Sequence, residues 1–418
     1  MELKGKKVTI IGAAKSGIAA ANLVQVLGGL ARISDNQPLE KIEKALVGLK
    51  DRRCVEIEFG GHTKEFVTAS DLIVASPGVW KDAPPLEWAR AAGIPVMGEI
   101  EFAWRFCKKP VVAVTGSNGK TTTVTLITRI LEASGKRACL CGNVGTPFSA
   151  RVLEPDVDIF VVEISSFQLE LCETFRPYVA VLLNFSKNHL DRHPTMQDYF
   201  DAKKRLFMNQ TPGDFAVLND RDELVRSLGT KLCSQVRFFN KPGESVNPDH
   251  LAVLEVGKIF GVSETAAQNV FDTFPGVEHR TEKVRVLDGV TYINDSKATT
   301  AESGAWALSL LPGPIIMIAG GHDKGEIDFS AVIPLARQKV KKMIVLTRED
   351  IVRQKLHKAF EGVVPLEDQT DMAEAVRSAR AQASSGDRVL LTPMFASFDM
   401  FSNFEHRGQV FKEIVTGL

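Results

Sequence analysis

The stretch Thr115-Gly-Ser-Asn-Gly-Lys-Thr121 combines residue types and spacing that suit a nucleoside triphosphate. Backbone N–H groups of Gly116, Ser117, Asn118 and Gly119 would face the phosphates. Lys120 would reach the outer ones, Thr121 would hold a magnesium ion, and Thr122 continues the same turn. The loop departs from the common phosphate-loop pattern, because Val114 stands where that pattern has its first glycine. Glu163 is a single acid in the apolar run 158–166. A carboxylate inside such a strand is costly unless it is paired or on a metal, so it is expected to share magnesium with Thr121. His189 lies in the polar run 188–193, where a metal or substrate role is plausible. Lys203 and Lys204 are adjacent on an expected helix and read as a solvated basic face.

These residues need elements to position them. Residues 111–114 form an apolar run that predicts a buried strand, and Val124, Ile127, Ile130 and Leu131 give the following segment helical periodicity. Residues 8–17 repeat the arrangement, a strand and glycine turn entering a helix, and residues 31–35 are a second strand ending in an acid. Asp35 stands at about the spacing of the dinucleotide fingerprint, but Ala14 replaces its middle glycine. A nucleotide-like fold that binds nothing there stays open. Further strands are expected at 71–78, 94–98, 178–184, 215–219, 235–239, 290–294, 315–319, 343–346 and 388–391. Cys139 and Cys141 read as buried strand residues. A helix over 263–274 ends at Pro275-Gly276. Strands alternating with helices predict α/β architecture with parallel sheets.

At 418 residues the chain is too long for one core. Its 51 basic and 51 acidic residues balance, which argues against a nucleic-acid binder. No apolar run reaches spanning length, and the N-terminus enters a strand without a signal-peptide core, so no membrane partner is expected. Six scattered cysteines fit a reducing cytoplasm.

Several stretches together resemble the Mur ligases, the ATP-dependent amide-forming enzymes of peptidoglycan precursor synthesis. They are the loop 115–121, Gly142-Asn-Val-Gly145, Glu163-Ile-Ser-Ser-Phe-Gln-Leu-Glu170, His189-Leu-Asp-Arg192, Tyr199 with Lys203, His279-Arg280, Asn294-Asp-Ser-Lys-Ala-Thr299 and the segment 396–408. The resemblance spans the chain, and the last two stretches point to the D-glutamate-adding branch. It implies a Rossmann-like UDP-sugar-binding domain over 1–98, a central P-loop ATPase-like domain over 99–276 and a Rossmann-like amino-acid-binding domain over 277–418. The implied substrates are UDP-N-acetylmuramoyl-L-alanine, D-glutamate and ATP, with two magnesium ions and a monomeric enzyme.

By the same resemblance Lys203 is carbamylated and His189 binds the second magnesium. Lys120, Lys203 and His189 are the catalytic set, and Thr121, Glu163, His189 and Lys203 are the metal set. Ser16, Asp35, Asn36, Gly78 and Asn143 meet the UDP-sugar. Arg280 and Asp295 reach ATP. Lys297, Thr299, Lys324, Ser397 and Phe404 hold D-glutamate. This sequence differs from the family at Ala14, at Gln37, in a shortened segment 239–263 that lacks the usual adenine-site asparagines, and at Met394-Phe395. A bulky Phe395 there would narrow the D-glutamate end. A folylpolyglutamate synthetase, a nicotinamide-dependent dehydrogenase and a non-catalytic binding protein of this fold remain alternatives.

Overall fold

Seventeen strands among the described residues assemble into three sheets. The computed structural model describes residues 1–186, 192–244, 247–274 and 276–418. The chain divides into two units, Met1–Thr273 and Phe274–Leu418.

The first unit holds two sheets. In the first, β1 (Lys7–Ile11), β2 (Leu30–Ser34), β3 (Glu56–Glu58), β4 (Leu72–Ala75) and β5 (Val96–Gly98) lie in the order β3-β2-β1-β4-β5, all parallel. In the second, β6 (Val111–Thr115), β7 (Ala138–Gly142), β8 (Ile159–Glu163), β9 (Val179–Leu182), β10 (Phe215–Asn219) and β11 (Gln235–Phe239) take the order β11-β10-β9-β6-β8-β7, again all parallel. Every residue of β6, β8 and β9 is buried. Sheets covered on both faces need unbroken apolar strands rather than alternation, which is why these runs read so clearly in the sequence. One apolar core runs through both sheets, from Leu3 to Leu228, and Ile100, Phe102 and Ala103 of the helix Glu99–Trp104 join it. That helix is tied polar-side as well. The Glu101 carboxylate accepts N–H bonds from Glu173, Thr174 and Phe175 at 3.0, 3.0 and 2.9 Å.

The second unit contains β12 (Glu282–Leu287), β13 (Val290–Asn294), β14 (Ile315–Gly320), β15 (Val340–Leu346), β16 (Leu366–Gln369) and β17 (Arg388–Met394), in the order β12-β13-β17-β14-β15-β16. The expectation of parallel pairing fails at one place. β12 and β13 form an antiparallel hairpin, because Asp288 and Gly289 both adopt positive φ (53° and 77°) and turn the chain straight back.

Each sheet has a point where strand order reverses, beside β1, β6 and β17 respectively. Loops leaving the C-terminal ends of the strands there diverge and open a crevice. Part of each group of expected site residues lies on or beside these loops, including Gly78, Lys120 and Asp295.

Candidate active site

The loop after β6 is shaped by two glycines with positive φ, Gly116 (157°) and Gly119 (82°). A Cβ on Gly116 would stand 3.0 Å from the Leu183 side chain, and one on Gly119 would meet the Asp249 carboxylate at 2.4 Å. Gly119 is also the N-cap of the helix Lys120–Ala133, and no side chain caps that end. The loop is pinned from β9's side. Asn118 N–H donates to Asn184 Oδ1 (2.9 Å), and Asn184 Nδ2 donates back to Asn118 O (3.1 Å). Ser117 Oγ donates to Ser186 O at 3.1 Å. Thr122 is half-buried in the helix's first turn.

Two lysines converge on one carbonyl. Lys120 Nζ donates to Gly116 O at 2.8 Å and to Ser117 O at 3.0 Å, and Lys203 Nζ donates to the same Gly116 O at 3.0 Å. Lys203 is not on a solvated face. It is 1% exposed and faces the loop, with its ammonium over the Tyr199 ring at 4.7 Å. The basic-face reading holds for Lys204, which pairs with Asp201. The helix Met196–Lys204 buries Tyr199, Phe200, Ala202 and Lys203, and Tyr199 and Lys203 are one turn apart. Burial, then the charge of Lys120, holds the Lys203 amine well below the usual lysine range.

Glu163 ends β8 and is 2% exposed. Its two oxygens are taken by different partners, Thr121 Oγ1 at 2.7 Å and Asn143 Nδ2 at 2.8 Å. A hydroxyl and a carboxylate oxygen in contact beside a phosphate loop are hard donors of the kind magnesium takes, so these residues fit the ion. Asn143 therefore lies within the same constellation as the phosphate loop. His189 falls outside the described residues.

The first sheet's crevice carries the other expected group. The Asp35 carboxylate is 8% exposed and accepts from Ala13 N (2.6 Å) and Gln37 N (2.8 Å). It ties two loops together by their amides. Gly17 packs where a Cβ would stand 1.9 Å from Gly12 O. Ser76 Oγ donates to that carbonyl at 2.8 Å, so the turns after β1 and β4 are locked to each other. Ser16 is half-buried, while Asn36 and Gly78 are exposed on this rim.

In the second unit three strand-end loops meet. Ser296 Oγ donates to Phe404 O (2.8 Å), His322 N to Ala396 O (2.8 Å), and Lys297 Nζ lies 5.8 Å from the Phe404 ring centroid. Thr299 is half-buried, Ser397 is buried and Lys324 is exposed. Asp295 accepts from Thr281 N (3.0 Å) and Thr392 Oγ1 (3.2 Å), and burial pushes its carboxyl up to about 7 against the opposing pull of Arg280. Phe395 does not narrow a binding pocket. It is 1% exposed and packs in the apolar core, its ring 6.2 Å from Phe329. Arg407 was passed over as a functional group in the sequence. Its guanidinium is buried and donates to Ser296 O (2.9 Å), Ser296 Oγ (3.0 Å), Ala396 O (3.0 Å) and Phe395 O (3.2 Å), binding the loops after β13 and β17 together. Asp249 was also missed as a neighbour of the phosphate loop. The helix Pro248–Ile259, absent from the sequence-based expectations, brings it there.

A phosphate loop with two lysines and a carboxylate beside it, on a mainly parallel-stranded α/β chain, suits nucleoside triphosphate chemistry, and comparison with known proteins specifies which. Residues 6–98 match the Mur ligase MurD-like N-terminal domain, 114–276 the Mur ligase middle domain and 279–395 the Mur ligase glutamate ligase domain. The chain belongs to the Mur ligase family. Its relatives include the UDP-N-acetylmuramoylalanine--D-glutamate ligases of Pelotomaculum thermopropionicum, 39% identical over 99% of this chain and 98% of the relative, and of Alkaliphilus metalliredigens, 36% identical over 100% and 99%. The fold is shared with the MurF ligase of Thermotoga maritima (TM-score 0.63, 16% identity, covering 100% of this chain and 96% of that one). It is shared in part with the folylpolyglutamate synthase/dihydrofolate synthase of Yersinia pestis (TM-score 0.56, 14% identity, 76% and 91%).

Proposed function

We propose that this chain joins D-glutamate to UDP-N-acetylmuramoyl-L-alanine at the expense of ATP, as its D-glutamate ligase relatives are named for doing. The observation that carries the chemistry is the convergence of Lys120 and Lys203 on Gly116 O, next to the Thr121–Glu163 contact. In the first step the substrate carboxylate attacks the γ-phosphate, giving an acyl phosphate and ADP. The amine of D-glutamate then attacks the acyl carbon, and phosphate leaves as the amide forms. The first step brings two anions together, so the site must cancel charge more than it must do covalent work.

Lys120 would hold the β- and γ-phosphates, aimed by the two loop carbonyls. Thr121 and Glu163 would hold magnesium, which supplies further positive charge at the phosphates when bound. Burial, then the charge of Lys120, lowers the Lys203 pKa and so favours its neutral amine. A neutral amine can add carbon dioxide and release a proton, and the resulting carbamate would turn a buried cation into a magnesium ligand beside Glu163, with His189 as a further ligand of a second ion. In the first sheet's crevice Ser16, Asp35, Asn36 and Gly78 would take the UDP end, with Asn143 toward the reacting end. Arg280 and Asp295 would approach ATP. Lys297, Thr299, Lys324, Ser397 and Phe404 would receive D-glutamate, whose two carboxylates suit the two lysines.

Among the described residues no helix is long and apolar enough to cross a membrane. We propose a monomer that works in the cytoplasm, where its ATP and UDP-sugar substrates would be met. The test is phosphate release from ATP and magnesium with UDP-N-acetylmuramoyl-L-alanine and a panel of amino acids. Release with D-glutamate and not L-glutamate is the expected result. Release with a different amino acid, or with a folate in place of the UDP-sugar, would overturn it.

A further inference from the structure

We infer that Arg192 is a positioning residue for the UDP-sugar, clamping the loop after β4 to the lobe that carries the phosphate site. The inference rests on the function proposed above and concerns how that substrate's loop is aimed.

The Arg192 side chain is 9% exposed. The terminal nitrogen Nη1 donates to Pro77 O (3.1 Å) and Gly78 O (3.4 Å), and Nη2 to Val79 O (2.8 Å). Three successive carbonyls of the first sheet's loop thus point at one side chain from the second sheet's lobe. The guanidinium lies 4.4 Å from the Phe167 ring centroid and 5.3 Å from that of Trp80, and 3.6 Å from Glu170 Oε2. Phe167 and Glu170 are on the helix Ser166–Glu170, which begins just after β8 and its terminal Glu163. Glu170 also faces His193 at 3.7 Å, and His193 Nε2 is hydrogen-bonded to Ser166 Oγ at 2.9 Å. A continuous set of contacts therefore runs from the loop 77–79 through Arg192 to the helix that follows the metal carboxylate.

The orientation has a chemical consequence. A trans peptide points its C=O and N–H in opposite directions. Aiming Pro77 O and Val79 O at Arg192 turns the N–H groups of Gly78 and Trp80 away from it. Val79 N–H is used inside the turn, donating to Ser76 O at 2.9 Å, whereas Gly78 and Trp80 N–H donate to no backbone carbonyl among the described residues. The clamp leaves two amides of an exposed loop facing outward, a cradle of the kind that takes a phosphate oxygen. A lysine does not reproduce it, since its single ammonium on a flexible stem lacks the two fixed, coplanar N–H pairs that set the direction of these carbonyls.

The experiment measures affinity for UDP-N-acetylmuramoyl-L-alanine by calorimetry and KM for each substrate separately, alongside melting temperature. Arg192→Ala is expected to weaken the UDP-sugar by about tenfold or more, with the KM values for ATP and D-glutamate within about twofold. Arg192→Lys keeps a cation opposite Glu170 and preserves the fold, and it is expected to weaken the UDP-sugar by about threefold or more. Unchanged UDP-sugar affinity in Arg192→Lys, or KM values that rise together for all three substrates in step with a lost melting temperature, would overturn the inference. Failure of the unsubstituted protein to bind the UDP-sugar would instead overturn the function beneath it.

Discussion

Gly12 and Gly119 both adopt left-handed backbone, with φ of 94° and 82°, and both precede a helix beside a strand-order reversal. Their surroundings differ in where the charge goes. At the first turn the one buried acid, Asp35, spends both oxygens on amides of its own loops, Ala13 and Gln37. At the second, Lys120 and Lys203 crowd one carbonyl while Glu163 faces Thr121. The first turn is a rigid rim whose polar groups stabilise it. The second is a charged centre whose groups oppose burial and are held in place by the packing around them. The same local device can thus serve as scaffold or as chemistry, and the partners of its charges distinguish the two.

Four substitutions would break or sharpen that contrast. Lys120→Ala should lower kcat by about a thousandfold while leaving the melting temperature near normal, because the lost charge belongs to the reaction and not to the fold. A phosphate-release rate close to that of the unsubstituted protein would end the assignment of this loop. Gly17→Ala should do the opposite, destabilising the first unit by about 3 kcal/mol in urea titration, since its Cβ would collide with Gly12 O. Next comes Asp35→Asn. Losing one of two charge-assisted amide contacts should cost about 1.5 kcal/mol of stability and weaken the UDP-sugar, with KM for ATP unchanged. The smallest effect on stability is expected from Lys203→Met. The Lys203 pKa is lowered on folding, so the unfolded chain binds more protons and stability rises with pH up to the ordinary lysine range. The cost of burying the group is therefore present at neutral pH and fades as the unfolded lysine deprotonates. Lys203→Met should add about 1 kcal/mol at neutral pH, lose that advantage near pH 10, and abolish turnover throughout. A destabilised Lys203→Met at neutral pH would remove the second half of the comparison.

What the sequence discloses follows from distance along the chain. The strands β6, β8 and β9 and the phosphate loop are local patterns, an apolar run and a glycine-lysine turn, and they stand where expected. The edge strands β3 and β16 are short and mixed with acids, so no apolar run betrays them. The hairpin β12–β13 did carry a signal, Asp288-Gly289 between apolar residues. So did the helix Pro248–Ile259, with Asn247 as N-cap and proline in its first turn. For Lys203 the aromatic Tyr199 one turn earlier was the hint that this lysine faces inward. Arg192 and Arg407 stand within stretches that resemble the family, but their contacts, like those of Asp249, are with partners far away in sequence and leave no local pattern. The placing of Phe395 in the core is likewise a tertiary fact.

The buried guanidinium of Arg407 also bears on how the second unit is made. It joins Ser296 and the 395–396 backbone, and the Ser296 contact spans 111 residues of chain. Contacts of such sequence separation form late, after long loops have closed. During synthesis the chain emerges from its N-terminal end, so β13 and β14 are complete well before the helix Phe404–Thr416 that carries Arg407. Until Arg407 emerges, the loops after β13 and β17 lack their common anchor. The first unit can fold while translation continues, whereas the second lacks this anchor until the helix that carries Arg407 has emerged.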